Sequence, residues 1–143
     1  MPHIFRHTLL LFMVVLSACQ SSTPQQSEAR QKDEAKAVTI LAKARTALYQ
    51  KRYNDAKKYL RSLRSTCPLA LNGRENGILL MDSIEIASTA DRLRVADSLV
   101  QDEMQRRGSV NAQTQAHFDE LCQQAKFYHR KLQHDKDQRK NHD

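Results

Sequence analysis

Cys19 is the residue of this chain whose type and surroundings best suit covalent chemistry. A thiol is a strong nucleophile when ionised, and this one follows Ser17 and Ala18, small residues that let the chain enter a peptidase cleft in extended form. An apolar run, Thr8 to Leu16, precedes them, and Arg6 is the only fixed positive charge before that run. Crossing a bilayer takes about 20 apolar residues in a helix. The shorter run therefore indicates a secretory signal rather than a membrane span.

Residues 1–19 resemble the signal peptides of bacterial lipoproteins, whose lipobox is matched here by Leu16-Ser17-Ala18-Cys19. The resemblance implies that residues 1–18 are removed, that Cys19 carries a thioether-linked diacylglycerol, and that its new amine is acylated. Each buried methylene of such chains contributes about 0.8 kcal/mol, so several chains form an effectively permanent anchor. The alternative is an ordinary secretory signal in which Cys19 is incidental. We expect no cofactor beyond this covalent lipid.

The segment after Cys19 is rich in Ser, Thr, Pro and Gln and has no apolar period. It predicts a flexible tether over residues 19–34, which would lift a domain off the membrane. No acidic cluster follows Cys19 directly, which favours the periplasm-facing leaflet of the outer membrane over the cell exterior.

The composition indicates one small all-α domain with a moderate positive charge. Removing Arg6 with the signal leaves 22 basic residues against 16 acidic ones, a net charge of +6. This excess suits anionic lipid or acidic envelope polymers, whereas an exported lipoprotein meets little nucleic acid, so we expect no nucleic-acid binding. Only three Gly and three Pro occur in the chain, and no stretch alternates with the period of a strand.

Two cysteines other than Cys19 could carry further chemistry. In an oxidising compartment Cys67 and Cys122 could form a disulfide. The alternative is two small, partly buried free thiols on helices. The residues alone leave both options open.

The histidines and acids do not form a recognisable site. His129, His134 and His142 are spaced by 5 and 8 residues, which does not place them on one helix face, so we expect no metal site. The chain lacks a Gly-rich phosphate loop, HExxH, CxxC and Gly-x-Ser-x-Gly, and acids such as Asp102-Glu103 and Asp119-Glu120 point to different helix faces. These observations predict a protein that is not an enzyme.

Residues 35–70 are predicted to form a helical hairpin. An apolar stripe lies on each side of a turn near Gln50–Tyr53, and Asn54 is a suitable N-cap for the second helix. The stretch from Ala37 to Ala70 resembles a tetratricopeptide repeat. The residues that carry the resemblance are Ala44, Tyr53, Ala56, Leu60, Leu63 and Pro68. The resemblance implies two closely packed antiparallel helices; a hairpin with similar spacing outside that family is the alternative.

Residues 71–132 are predicted to form a longer antiparallel helical hairpin or coiled coil. Gly73 and Gly77 punctuate its start, so the first helix is expected over Ile78–Arg107, followed by a loop at Gly108 and a second helix from about Ala112. The expected seams are Leu93, Ala96, Val100 and Met104 in the first helix and Phe118, Leu121, Ala125, Tyr128 and Leu132 in the second. Residues 133–143 have no apolar residue and are predicted to be a disordered basic tail.

The whole chain also resembles uncharacterised small lipoproteins of Bacteroides-type bacteria, and this resemblance implies no activity. We expect a lipid-anchored, non-enzymatic helical adaptor of the cell envelope that binds another protein. The aromatic residues considered for the partner surface are Tyr49, Tyr53, Tyr59, Phe127 and Tyr128. The alternatives are a structural coiled-coil oligomer formed by self-association and a basic module that binds anionic lipid or polysaccharide.

Overall fold

Residues 27–141, which a computed structural model describes, form four α-helices. They are α1 (Glu28–Tyr49), α2 (Tyr53–Thr66), α3 (Leu71–Arg107) and α4 (Ala112–Lys140). No strand occurs in this part of the chain, so the predicted all-α class is confirmed. The signal peptide, Cys19 and the start of the tether lie outside the described residues.

Helix α3 is the central element of the fold. It is 37 residues long and packs against each of the other three helices, while α4 packs against α3 alone. Consecutive helices form antiparallel hairpins, as expected for both halves of the chain. The predicted loop at Gly108 is confirmed: this residue has a φ of +70°, ends α3, and donates its N–H to Met104.

Small side chains allow the helices of the first hairpin to approach closely. Ala44 of α1 and Ala56 of α2 are fully buried. Burial of Leu60 and Leu63 from α2 and of Ile84 from α3 completes this core. Each fully buried aliphatic side chain contributes about 1.5–3 kcal/mol, so the core connects the first hairpin to the centre of α3.

Two helix starts differ from the sequence predictions. Helix α1 begins at Glu28, where Ser27 Oγ accepts a hydrogen bond from the Arg30 N–H at 3.3 Å, so the last part of the predicted 19–34 tether is helical. Helix α2 begins at Tyr53, and Asn54 lies inside it rather than capping it. Tyr53 is held by its side-chain contact with α3, a tertiary constraint that the local capping signal does not contain.

Gly73 and Gly77 do not interrupt α3, which begins at Leu71 rather than at Ile78. Both glycines are buried, and a Cβ at Gly73 would overlap the Cβ of Ala37, while one at Gly77 would lie 2.8 Å from Leu63 Cδ2. These positions therefore lack a side chain because α1 and α2 occupy the space, not because the helix must turn.

The basic tail predicted over residues 133–143 is also corrected, since α4 continues to Lys140. Arg139 donates a hydrogen bond to Asn76 Oδ1 at 2.8 Å, and its Nε lies 3.9 Å from Glu75. Polar contacts with the start of α3 thus hold a segment that has no apolar residue of its own.

Candidate functional site

A groove runs between α2 and α4, with α3 as its floor. Lys57 Nζ of α2 lies 2.7 Å from Glu85 Oε2, and Lys131 Nζ of α4 lies 2.7 Å from Asp82 Oδ1. Earlier residues of both helices contact later residues of α3, Tyr53 with Asp91 and Gln124 with Arg92. Both helices therefore run antiparallel to α3 and parallel to each other. Because their backbones do not pack together, the surface of α3 between them is left open.

The floor of the groove has the residue spacing of a coiled-coil seam. Three adjoining cavities of about 410, 900 and 340 Å³ share lining residues along α3. The α3 residues that line them include a set separated alternately by four and three positions: Arg74, Ile78, Met81, Glu85, Ser88, Arg92, Val95 and Leu99. We call this set the floor stripe. None of its members is fully buried, and it extends about 37 Å at 1.5 Å per residue.

The end of the groove nearest the start of α3 is apolar. Leu60 and Leu63 form its α2 wall, and Phe127 lies on its α4 wall. Phe127 and Ile78 remain 54% and 51% exposed, an arrangement that leaves apolar surface in contact with water. The Phe127 and Tyr128 rings meet edge to face with centroids 5.3 Å apart, which fixes the ring directions at this wall.

The middle of the groove is polar and has an excess of positive charge. Exposed Lys126 and Arg130 line it, and exposed Arg64 lines the adjoining apolar end; none of these three side chains makes a hydrogen bond or an ion pair within residues 27–141. Glu85 is paired with Lys57, whereas Glu120 accepts a hydrogen bond only from neutral Gln124 and keeps its charge. Arg92, Lys126 and Arg130 outnumber Glu120, so the net charge of this cavity lining is positive.

A buried carboxylate connects the floor to the α4 wall. Asp82 is 2% exposed, and Lys131 donates to its Oδ1 and to Asp135 Oδ2, each at 2.7 Å. The second oxygen of Asp82 is buried and has no hydrogen-bond partner in the described part of the chain. Leaving a buried acceptor unpaired costs free energy, so this cluster is a point of strain in the α3–α4 contact.

These contacts shift the pKa values of all three groups. Burial raises the pKa of Asp82, against the opposing effect of the Lys131 ammonium. Burial alone disfavours the charge of Lys131, but hydrogen bonds to Asp135 and Asp82 outweigh it and raise its pKa. The hydrogen bond from Lys131 lowers the pKa of Asp135. Asp82 is thus the carboxyl of this cluster that takes up a proton first on acidification.

A second polar contact lies at the other end of the groove. The Tyr53 hydroxyl donates to Asp91 Oδ2 at 2.6 Å, and Lys51 Nζ lies 3.1 Å from the same oxygen. These two donors lower the pKa of Asp91, while burial and the hydrogen bond to Asp91 raise the pKa of Tyr53. The contact anchors the first turn of α2 on α3.

The structure places three of the five aromatic residues considered for a partner surface along the groove. Phe127 and Tyr128 line its apolar end, and Tyr53 lines the opposite end. Tyr49 is 91% exposed at the end of α1, and Tyr59 packs against the core of the first hairpin. Neither of these two lines the groove cavities, so the five residues do not form one surface.

The disulfide considered for Cys67 and Cys122 is not formed. Both are free thiols; Cys67 is buried in the first hairpin, and Cys122 is half-buried on α4. The two lie on helical units that meet only through α3, which keeps the thiols apart.

No group of three or more His, Cys, Asp or Glu side chains within residues 27–141 is arranged to hold a metal ion. His129 and His134 are exposed on α4, and His142 lies outside the described residues. None of the helices described has the length and apolarity needed to cross a membrane.

Sequence reasoning missed the Asp82 cluster and the floor stripe. A signal for each was present: an acid within the apolar stretch Ile78–Ile84, and the alternating spacing along α3. No protein-family model matches the chain, and no curated protein or solved structure shows significant similarity to it.

Proposed function

We propose that this protein is a lipid-anchored, non-enzymatic helical adaptor of the bacterial cell envelope, which binds another protein through the groove between α2 and α4. The observation that carries the proposal is the floor stripe, a heptad-spaced row about 37 Å long on α3 that no helix within residues 27–141 buries fully. Its ends include apolar residues, and Glu85, Ser88 and Arg92 make its middle polar. Apolar residues at this spacing, here Ile78, Met81, Val95 and Leu99, can pack against a partner helix. The anchor part of the proposal rests on the lipobox resemblance at Cys19.

A photo-crosslinking amino acid in place of Phe127 tests the adaptor function. In intact cells we expect one dominant partner to be recovered at near-stoichiometric yield, because Phe127 lies at the groove wall and is 54% exposed. The matched control carries the same crosslinker in place of Val38, which is 64% exposed on α1 and away from the groove. Equal recovery from both positions, or none from position 127, would contradict the proposal.

Self-association is a second candidate function, favoured by the exposure of Val95 and Leu99. These apolar residues lie one turn apart at the far end of the floor stripe and are 63% and 51% exposed. If the protein is a structural coiled-coil oligomer, the crosslinker at position 127 captures only other copies of the chain. Mass measured by light scattering would then rise with protein concentration.

A further inference from the structure

We infer that the groove between α2 and α4 binds an acidic amphipathic α-helix of a partner protein. This inference rests on the proposed adaptor function and specifies the chemistry of the partner. Three features carry it: the heptad spacing of the floor, the apolar ends of the groove, and the unpaired basic residues on its walls.

The floor stripe selects a helix rather than an extended segment. Its apolar members, Ile78 and Met81 at one end and Val95 and Leu99 at the other, have the three- and four-residue spacing at which side chains interlock with those of a second helix. The walls repeat the pattern: His117, Glu120, Gln124, Phe127 and Lys131 of α4 are spaced by three and four residues. A helix in the groove would therefore contact regularly spaced side chains on the floor and on a wall.

The two ends of the groove select apolar anchors on that helix. At one end, Ile78 and Phe127 border the apolar cavity of about 410 Å³, and at the other Val95 and Leu99 leave apolar surface exposed. Ile78 and Val95 are 17 positions apart in α3, or about 25 Å. The bound helix therefore has apolar residues near both ends and a polar stretch between them.

The basic residues select acidic side chains for the polar stretch. Lys126 and Arg130 line the polar stretch and Arg64 lines the adjoining apolar end; all three are exposed and have no ion-pair partner in the described part of the chain. Of the carboxylates nearby, Glu85 is paired with Lys57, and Glu120 alone does not balance the charges of Lys126 and Arg130. The positive charges of these groove residues would repel a basic helix, whereas Glu or Asp residues of a bound helix would compensate those charges.

A selection from a displayed peptide library tests the inference. The library holds 28-residue peptides with apolar residues fixed at the heptad positions near both ends and with Glu, Lys, Gln or Ala at all other positions. It is selected against the purified protein. We expect acidic sequences to be enriched at least about tenfold over basic ones, as three rim ion pairs would allow. No enrichment, or enrichment without a charge bias, would overturn the inference.

Two charge-reversal variants separate the groove from the overall charge of the protein. The first variant reverses the charge of the groove residues by Arg64→Glu, Lys126→Glu and Arg130→Glu. The second reverses the charge of exposed α1 residues that also lack ion-pair partners, by Lys36→Glu, Lys43→Glu and Arg45→Glu. Both lower the net charge equally. The first should abolish or reverse the acidic bias, and the second should leave it unchanged. An equal loss in both would show a bulk-charge effect and overturn the inference.

Other occupants give different results in matched assays. Binding to phosphatidylglycerol vesicles that depends on Arg64, Lys126 and Arg130, with no peptide enriched, would assign the basic surface to anionic lipid instead. A concentration-dependent mass that the groove variant abolishes would assign the groove to a second copy.

If position 127 crosslinks to a partner whose contacting segment is basic or neutral, the adaptor function stands and the inference fails. If acidic peptides bind but no partner is captured, the adaptor function fails.

Discussion

Lys131 of α4 donates a hydrogen bond of 2.7 Å to Asp82 of α3, whose side chain is 3% exposed. This contact connects the floor of the groove to one of its walls. Since Lys131 also binds Asp135, one ammonium group compensates two carboxylates at this contact.

Replacing Lys131 with Met should destabilise the protein, because it leaves the Asp82 carboxylate buried without a partner. We expect a loss of about 1–3 kcal/mol in the free energy of unfolding, less than for a fully buried pair because solvent screens the lysine. Urea denaturation measures it. The control Lys126→Met removes an exposed, unpaired lysine and should change stability by less than about 0.5 kcal/mol. Similar losses in the two variants would contradict the role given to Asp82.

The pH dependence of stability should report the raised pKa of Asp82. A carboxyl whose pKa is higher in the folded state than in the unfolded state destabilises the fold as the pH rises from the usual value of 3.8 through the folded value. Across that window the wild type should lose stability relative to Asp82→Asn, which keeps the side-chain shape and cannot ionise. Asp135 and Lys131 are present in both proteins, but the pKa of each depends on Asp82, so the difference between the two curves reports Asp82 together with the groups it contacts. Parallel curves of unfolding free energy against pH would refute this.

Gly73→Ala should destabilise the protein although alanine favours helices. The added Cβ overlaps that of Ala37, and neither backbone can move without displacing α1 from α3, so we expect a loss of about 1–3 kcal/mol. Gly77→Ala should cost less, because its neighbour is the flexible end of Leu63. Adding Ala37→Gly to Gly73→Ala restores the space and should recover part of the loss. Additive effects in this double-mutant cycle would show that the two residues do not touch.

The two described cysteines should differ in reactivity. N-ethylmaleimide should modify half-buried Cys122 well before buried Cys67, which should react only when the protein opens. Peptide mapping by mass spectrometry identifies each site, and urea provides the control in which both react at similar rates. Recovery of a Cys67–Cys122 linked peptide from unreduced protein would contradict the free-thiol arrangement.

The sequence by itself determined the elements that depend on local chemistry. Helical periodicity, scarce Gly and Pro, and small residues at Ala44 and Ala56 predicted an all-α chain of two hairpins. Gly108 marked the turn between α3 and α4 because a residue with a φ of +70° favours glycine. Each of these signals acts within a few residues of chain.

Only the tertiary structure decided how the helices share space. The local sequence predicts that Gly73 and Gly77 interrupt the helix. They lie within α3 instead, and Ala37 and Leu63 occupy the volume that side chains at these positions would need. The end of α4 is helical because Arg139 binds residues at the start of α3. The groove exists because α2 and α4 both pack on α3 without packing on each other, a relationship between distant segments that no local pattern contains.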